Sequence, residues 1–237
     1  MRGTPLAKAA KAAKVAEAAK AAVALTAAAV LAGCSGGGAE PAAPRTTAAA
    51  EVCGGFAGDA ATAAALKAVM GTERYEEGAS HPARALAELR GLIRAGQENP
   101  ARPQGHTYCR LRPATPDGQD LTLLVNGVAE APGQDPRLTA TTWYASGARA
   151  FATHGHAKVY FTCRPEPSDR GIVIETEASA PDGTTETDPR RRTHLVTLAN
   201  AAARHVAGKL GCTDTKLAAG VPAPLPKGGA DGKGAGP

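Results

Sequence analysis

Between residues 103 and 178 the apolar residues recur at every second position, whereas in the segments before and after this stretch they recur every three or four. That change of period limits the fold more than any other feature, because a period of 2 builds strands and a period of 3.6 builds helices. Thr107, Cys109 and Leu111 alternate with Tyr108, Arg110 and Arg112, and Leu121, Leu123 and Val125 alternate with Thr122, Leu124 and Asn126. Pro116-Asp117-Gly118 separates the two runs, so they predict a pair of strands joined by a turn. Ala157, Val159, Phe161 and Cys163 then alternate with Lys158, Tyr160, Thr162 and Arg164, and Gly171 to Ala178 follow across a turn rich in Pro and Asp, predicting a second hairpin.

The flanking segments predict helices. Asp59 is an N-cap ahead of a run ending at Gly71, with Thr62, Leu66, Val69 and Met70 on one face. Ser80-His81-Pro82 opens a second helix carrying Ala85, Leu86, Leu89, Leu92 and Ile93, closed by Gly96. Asp188 and Pro189 open a third, whose stripe is Leu195, Leu198, Ala202, Val206 and Leu210 and which stops at Gly211. The order helix, helix, strands, helix predicts an α+β domain: an antiparallel sheet of about four or more strands with helices packed on one face. The pattern does not place residues 130–156, and Trp143, Tyr144 and Phe151 fall there, in a short strand or a loop.

Composition narrows the function. The chain has 237 residues but only 3 Phe, 4 Tyr and 1 Trp, so its core rests on aliphatic side chains and a broad base-stacking platform is not expected. Of the formal net charge of +5, most sits in residues 1–20, where Arg2, Lys8, Lys11, Lys14 and Lys20 oppose Glu17 alone. A nucleic-acid partner is therefore not expected, since counterion release requires clustered cations on the folded domain.

That basic stretch precedes an uncharged apolar run, Ala21 to Gly33, in the order of the n-region and h-region of a secretory signal. The run is too short to span the ~30 Å hydrocarbon core of a bilayer. It ends in Leu31-Ala32-Gly33-Cys34, which resembles the lipobox of bacterial lipoproteins. The resemblance implies cleavage of residues 1–33, a diacylglyceryl group on Cys34 and a membrane partner reached through that lipid. Composition rich in Ala, Gly and Arg resembles that of high-GC actinobacteria, which implies the outer leaflet of the cell membrane as the destination. Residues 34–50, with Gly36 to Gly38, Pro41 and Pro44, read as a flexible lipidated tether. The domain is then expected over residues 51–212, followed by a disordered Pro- and Gly-rich tail over 213–237.

With Cys34 assigned to lipid, Cys53, Cys109, Cys163 and Cys212 remain, an even number without a Cys-x-x-Cys pair. In an exported chain two disulfides are expected rather than a metal site. Three pairings are open; the one expected here, Cys53 with Cys109 and Cys163 with Cys212, ties the start of the domain to an early strand and its last helix to a late one.

Chemistry is sparsely signalled. His154-x-His156 is a weak candidate for a metal site, lacking a third ligand at a telling distance. Glu175 and Glu177 share a strand face and could divide acid and base roles, although alternation on an exposed face accounts for them. Arg190, Arg191 and Arg192, with His194, are a candidate contact for anionic headgroups or an acidic partner, and Trp143, Tyr144 and Phe151 a candidate ligand pocket. No Gly-x-Ser-x-Gly, Ser-x-x-Lys or His-Glu-x-x-His signature occurs, and no cofactor is expected. In segment order, and in Val159-Tyr160-Phe161-Thr162-Cys163 and Lys209-Leu210-Gly211-Cys212, the chain is similar to actinobacterial lipoproteins without an assigned activity. The expectation is a binding or interaction module at the cell envelope, for a protein or a lipophilic ligand. A lipoprotein regulating a membrane sensor kinase and an envelope hydrolase are the alternatives.

Overall fold

The computed structural model describes residues 45–95, 105–116, 118–133, 141–166, 171–180 and 188–226. The expected leader, Cys34 and the tether up to residue 44 lie outside these residues, as does the chain after residue 226.

All three expected helices form, the first and third at the expected caps, while Gly96, expected to close the second, lies outside the described residues. Helix α1 (Ala60–Met70) starts where the Asp59 carboxylate accepts from the Thr62 backbone N–H at 2.9 Å and stops at Gly71, whose φ of 73° suits glycine. Helix α2 covers Pro82–Ala95. Helix α3 (Pro189–Leu210) is capped by Asp188 and ends on Gly211.

The sheet is larger than the alternation alone predicts. Its strands are β1 (Thr47–Ala48), β2 (Arg74–Glu77), β3 (His106–Pro113), β4 (Leu121–Val128), β5 (Thr142–Ala145), β6 (Arg149–Ala152), β7 (His156–Pro165), β8 (Ile172–Ser179), β9 (Cys212–Thr213) and β10 (Ala223–Pro224). They run in the order β1-β2-β3-β4-β8-β7-β6-β5-β10, with β9 added on β7, and every pair is antiparallel. Two boundaries are thereby corrected. Residues 47–48 pair in the sheet rather than belonging to the tether, and in the expected tail Thr213, Ala223 and Pro224 pair with strands while residues 216–220 are bonded to α3 and to Ser146 and Gly147.

The physical reason lies in α3. Its Asn200 is fully buried and donates to the carbonyls of Ala218 and Gly220 at 2.9 and 3.0 Å, while its Oδ1 accepts from Ser146 at 2.6 Å. Ser146 Oγ accepts in turn from the Ala218 N–H, and Arg204 donates to Ala219 O. Polar groups that a proline-rich segment cannot satisfy internally are thus met from the helix, and β10 then covers the edge of β5.

Helices α2 and α3 lie on one face of the sheet. Thr176 of β8 donates to Ala199 O of α3 at 3.0 Å, and a Cβ added at Gly127 of β4 would come within 2.7 Å of Leu92 in α2. Below them Leu121, Leu123, Val125, Val159, Phe161 and Ile174 are fully buried. Helix α3 buries far more than its expected stripe, including Val196, Ala199, Ala201 and Ala203, because α1, the sheet and the C-terminal segment enclose it. Alanines allow that close approach from several sides.

The disulfides pair as expected, Cys53 with Cys109 and Cys163 with Cys212, at Cα separations of 5.5 and 4.8 Å. A β-bulge between Thr107 and Cys109 turns both Tyr108 and Cys109 inward, which strict alternation would forbid. Tyr108 packs edge-on against His205 of α3, and burial pushes its phenol up to about 12.

Candidate functional site

The second face of the sheet carries no helix among the described residues, and the strand register sorts its side chains into parallel rows, two of which hold its charged and aromatic residues. Opposed partners across β4, β8, β7, β6 and β5 give the first row: Leu124, Glu177, Lys158, Phe151 and Trp143. One pleat along, the second row is Asn126, Glu175, Tyr160 and Arg149. Directly opposed side chains on one face of an antiparallel pair lie ~4.5–5.5 Å apart, so these residues touch in sequence order of neither element.

The rows join a charged cluster to an aromatic one. Lys158 Nζ sits 3.1 Å from Glu175 Oε1 and 3.0 Å from Glu177 Oε2, and Asn126 Nδ2 donates to Glu175 Oε1 at 3.3 Å. Burial works to lower the Lys158 pKa, but the two carboxylates outweigh it and hold the ammonium above its usual range. Tyr160 hydrogen-bonds Glu175, and burial first, then that bond and the carboxylate charges, raise its phenol well above the ordinary value. Beside them the Trp143 and Phe151 rings lie 5.1 Å apart at 57°, Phe151 and Tyr160 stack at 6.3 Å, and the Arg149 guanidinium lies 5.6 Å from the Trp143 ring centre.

The face is partly desolvated. Asn126, Glu175 and Tyr160 form a floor no more than 8 % exposed, while Lys158 and Glu177 keep 24 % and 20 % of their side-chain surface open and Trp143 is half-buried. Two polar atoms on this face, Asn126 Oδ1 and Arg149 Nε, are buried without a hydrogen-bond partner. Such orphans carry a desolvation cost of roughly 1–3 kcal/mol each in a finished fold.

Several expectations change here. Glu175 is not on an open, solvated face: it is buried and paired. Both carboxylates are engaged by one lysine rather than standing apart as independent acid and base. Tyr144 does not join Trp143 and Phe151, because neighbouring residues of a strand face opposite ways; its hydroxyl meets Thr193 of α3 at 3.3 Å on the helix side.

The arginine cluster is largely spent inside the domain. Arg191 donates to His154 O, Gln119 Oε1 and Ala180 O, and Arg192 donates to Thr142 Oγ1 at 3.1 Å, leaving Arg190 as the exposed member. His156 Nδ1 faces Thr153 Oγ1 at 3.1 Å, and burial, opposed by Glu177, lowers its pKa. His154 contributes a backbone carbonyl to Arg191, and among the described residues no group of three His, Cys, Asp or Glu could hold a metal ion.

Sequence reasoning missed Lys158, Asn126, Tyr160 and Arg149 as site residues. Their signal was present only as the polar half of an alternation, which looks the same on any solvated face. No known protein family, curated protein or solved structure matches the chain.

Proposed function

We propose that the chain is a lipoprotein anchored at the extracytoplasmic face of the cell membrane, with its folded domain a binding module whose ligand site is the helix-free sheet face. One observation carries the binding reading. Lys158, Glu175 and Glu177 are drawn together beside Trp143 and Phe151 on a face that no described helix covers. Replacing a buried charge cluster by apolar residues is often neutral or stabilising, so stability gives little reason for its presence.

The anchoring reading rests on Leu31-Ala32-Gly33-Cys34 after an apolar run, and on two disulfides, which persist in oxidising compartments. Because β1 begins at Thr47, twelve residues separate Cys34 from the sheet. Intact mass of the membrane-extracted protein should correspond to a chain starting at Cys34 with added acyl groups, and Cys34→Ala should release it from the membrane. Full-length soluble protein of unmodified mass would defeat the anchoring reading.

Binding is read through Trp143, the one tryptophan in the chain. Protein labelled with 5-fluorotryptophan gives a single fluorine resonance, which should shift or broaden on adding a detergent extract of the cell envelope. Glu177→Gln should suppress the change. A resonance indifferent to the extract would overturn the site.

A further inference from the structure

The chemistry of the two rows points further, to the class of ligand: we propose that the site binds a neutral carbohydrate, as a short oligosaccharide laid across the strands from Trp143 to Glu177. This rests on the helix-free face being the binding site.

Charge balance makes the first selection. Lys158 and Arg149 stand against Glu175 and Glu177. An anion reaching Lys158 meets two carboxylates at 3.1 and 3.0 Å, and a cation reaching those carboxylates meets Lys158 and then Arg149. Neither sign of net charge is complemented.

Hydrogen bonding makes the second. A wholly apolar ligand would strip water from the open parts of Lys158 and Glu177 and return nothing. Hydroxyl groups answer both needs, since each donates and accepts. Lys158 has a third N–H beyond its two carboxylate contacts, and Glu177 offers acceptor capacity. The Trp143 ring, packed on Phe151 and with Arg149 over it, is only half-buried, and its open part offers an apolar surface for the C–H face of a sugar ring.

Spacing makes the third. Trp143 and Lys158 are two strands apart and Glu177 is one further, so the row spans ~14 Å at the usual inter-strand spacing. That is the reach of linked rings rather than of one.

The experiment uses the full chain labelled with 5-fluorotryptophan, titrated with soluble neutral trisaccharides: maltotriose, cellotriose, mannotriose, galactotriose and chitotriose. At least one should move the Trp143 resonance saturably at micromolar to millimolar concentration. Glu177→Gln should weaken that sugar by at least about tenfold, with circular dichroism unchanged. Calorimetry on Trp143→Ala supplies a second variant should Glu177→Gln not fold, and it too should weaken the sugar. If no trisaccharide moves the resonance while the envelope extract does, the carbohydrate class is wrong and the binding face stands. If neither moves it, both readings fall. Binding that survives both substitutions undiminished places the sugar elsewhere and also overturns the proposal.

Discussion

The two faces of one sheet carry opposite chemistry. Under α2 and α3, Leu123, Val159, Phe161 and Ile174 are fully buried, and Thr176, one of the few polar side chains among them, is bonded to a helix carbonyl. On the other face, the same strands contribute Asn126, Lys158, Glu175 and Glu177 in the alternate positions. The first face removes apolar surface from water and holds the fold; the second bears desolvated charge and two orphan atoms, features that cost stability. On the binding reading proposed above, the chain keeps such a face because a ligand uses it.

The largest test of that contrast is Phe161→Ala, on the helix side. It should destabilise by about 3–5 kcal/mol, as large-to-small core substitutions do. Urea unfolding would measure it, and a cost below that of a surface substitution would dissolve the distinction between the faces. Removing the bridge between Cys163 and Cys212, which are 49 residues apart, should cost about 4 kcal/mol on the chain-entropy account, read in the same titration.

Next comes the edge of the sheet. Asn200→Ala deletes both donors to Ala218 and Gly220 and the acceptor for Ser146, and should cost about 2–3 kcal/mol. Amide exchange should quicken over residues 216–225 before the rest of the domain. Uniform quickening would mean that the C-terminal segment does not open by itself.

On the helix-free face the contrast is sharpest when a single substitution is compared with a group. Lys158→Met leaves two carboxylates facing each other and should destabilise by about 2 kcal/mol, less than a fully buried pair would because the cluster is partly open. Adding Glu175→Leu and Glu177→Leu should recover most of that loss while abolishing the response to ligand. Failure of the triple variant to recover would make the cluster a structural element and weaken the functional reading.

The smallest effect is in pH. Burial is the main cause depressing the pKa values of both His156 and His205, so the unfolded chain takes up protons first as pH falls through 6.5. Their contribution is complete above that value and is lost progressively below it, through the lowered folded pKa values. His156→Asn and His205→Gln should each flatten the slope of stability against pH on the acid side of 6.5; an unchanged slope would place the linkage in other groups.

The caps and periods were legible because they are local. Asp59, Gly71, Asp188, Pro189 and Gly211 each act within one turn of chain, and the two hairpins declare themselves through alternation. Strand β2 was not legible, since Arg-Tyr-Glu-Glu has a lone buried residue, Tyr75, and is held by β1 and β3. The site was legible only in part: Trp143 and Phe151 were named together, but Tyr144 was placed with them when the pleat sends it to the other face.

Residues 47–48 and 213–226 illustrate the same limit at both ends of the domain. Composition marks them as tether and tail, and only buried acceptors and donors on α3 and open strand edges, assembled from distant segments, give them partners. By itself the sequence determined the helices, the main hairpins, the fold class and the four cysteines available for bridging, all of which depend on periodicity and near neighbours. Tertiary structure alone decided that Asn126 sits beside Glu175, because that contact joins residues 49 apart in the chain and depends on which edges meet, and it fixed the hairpin registers, left open by alternation, that set Lys158 between two carboxylates and Phe151 next to Trp143.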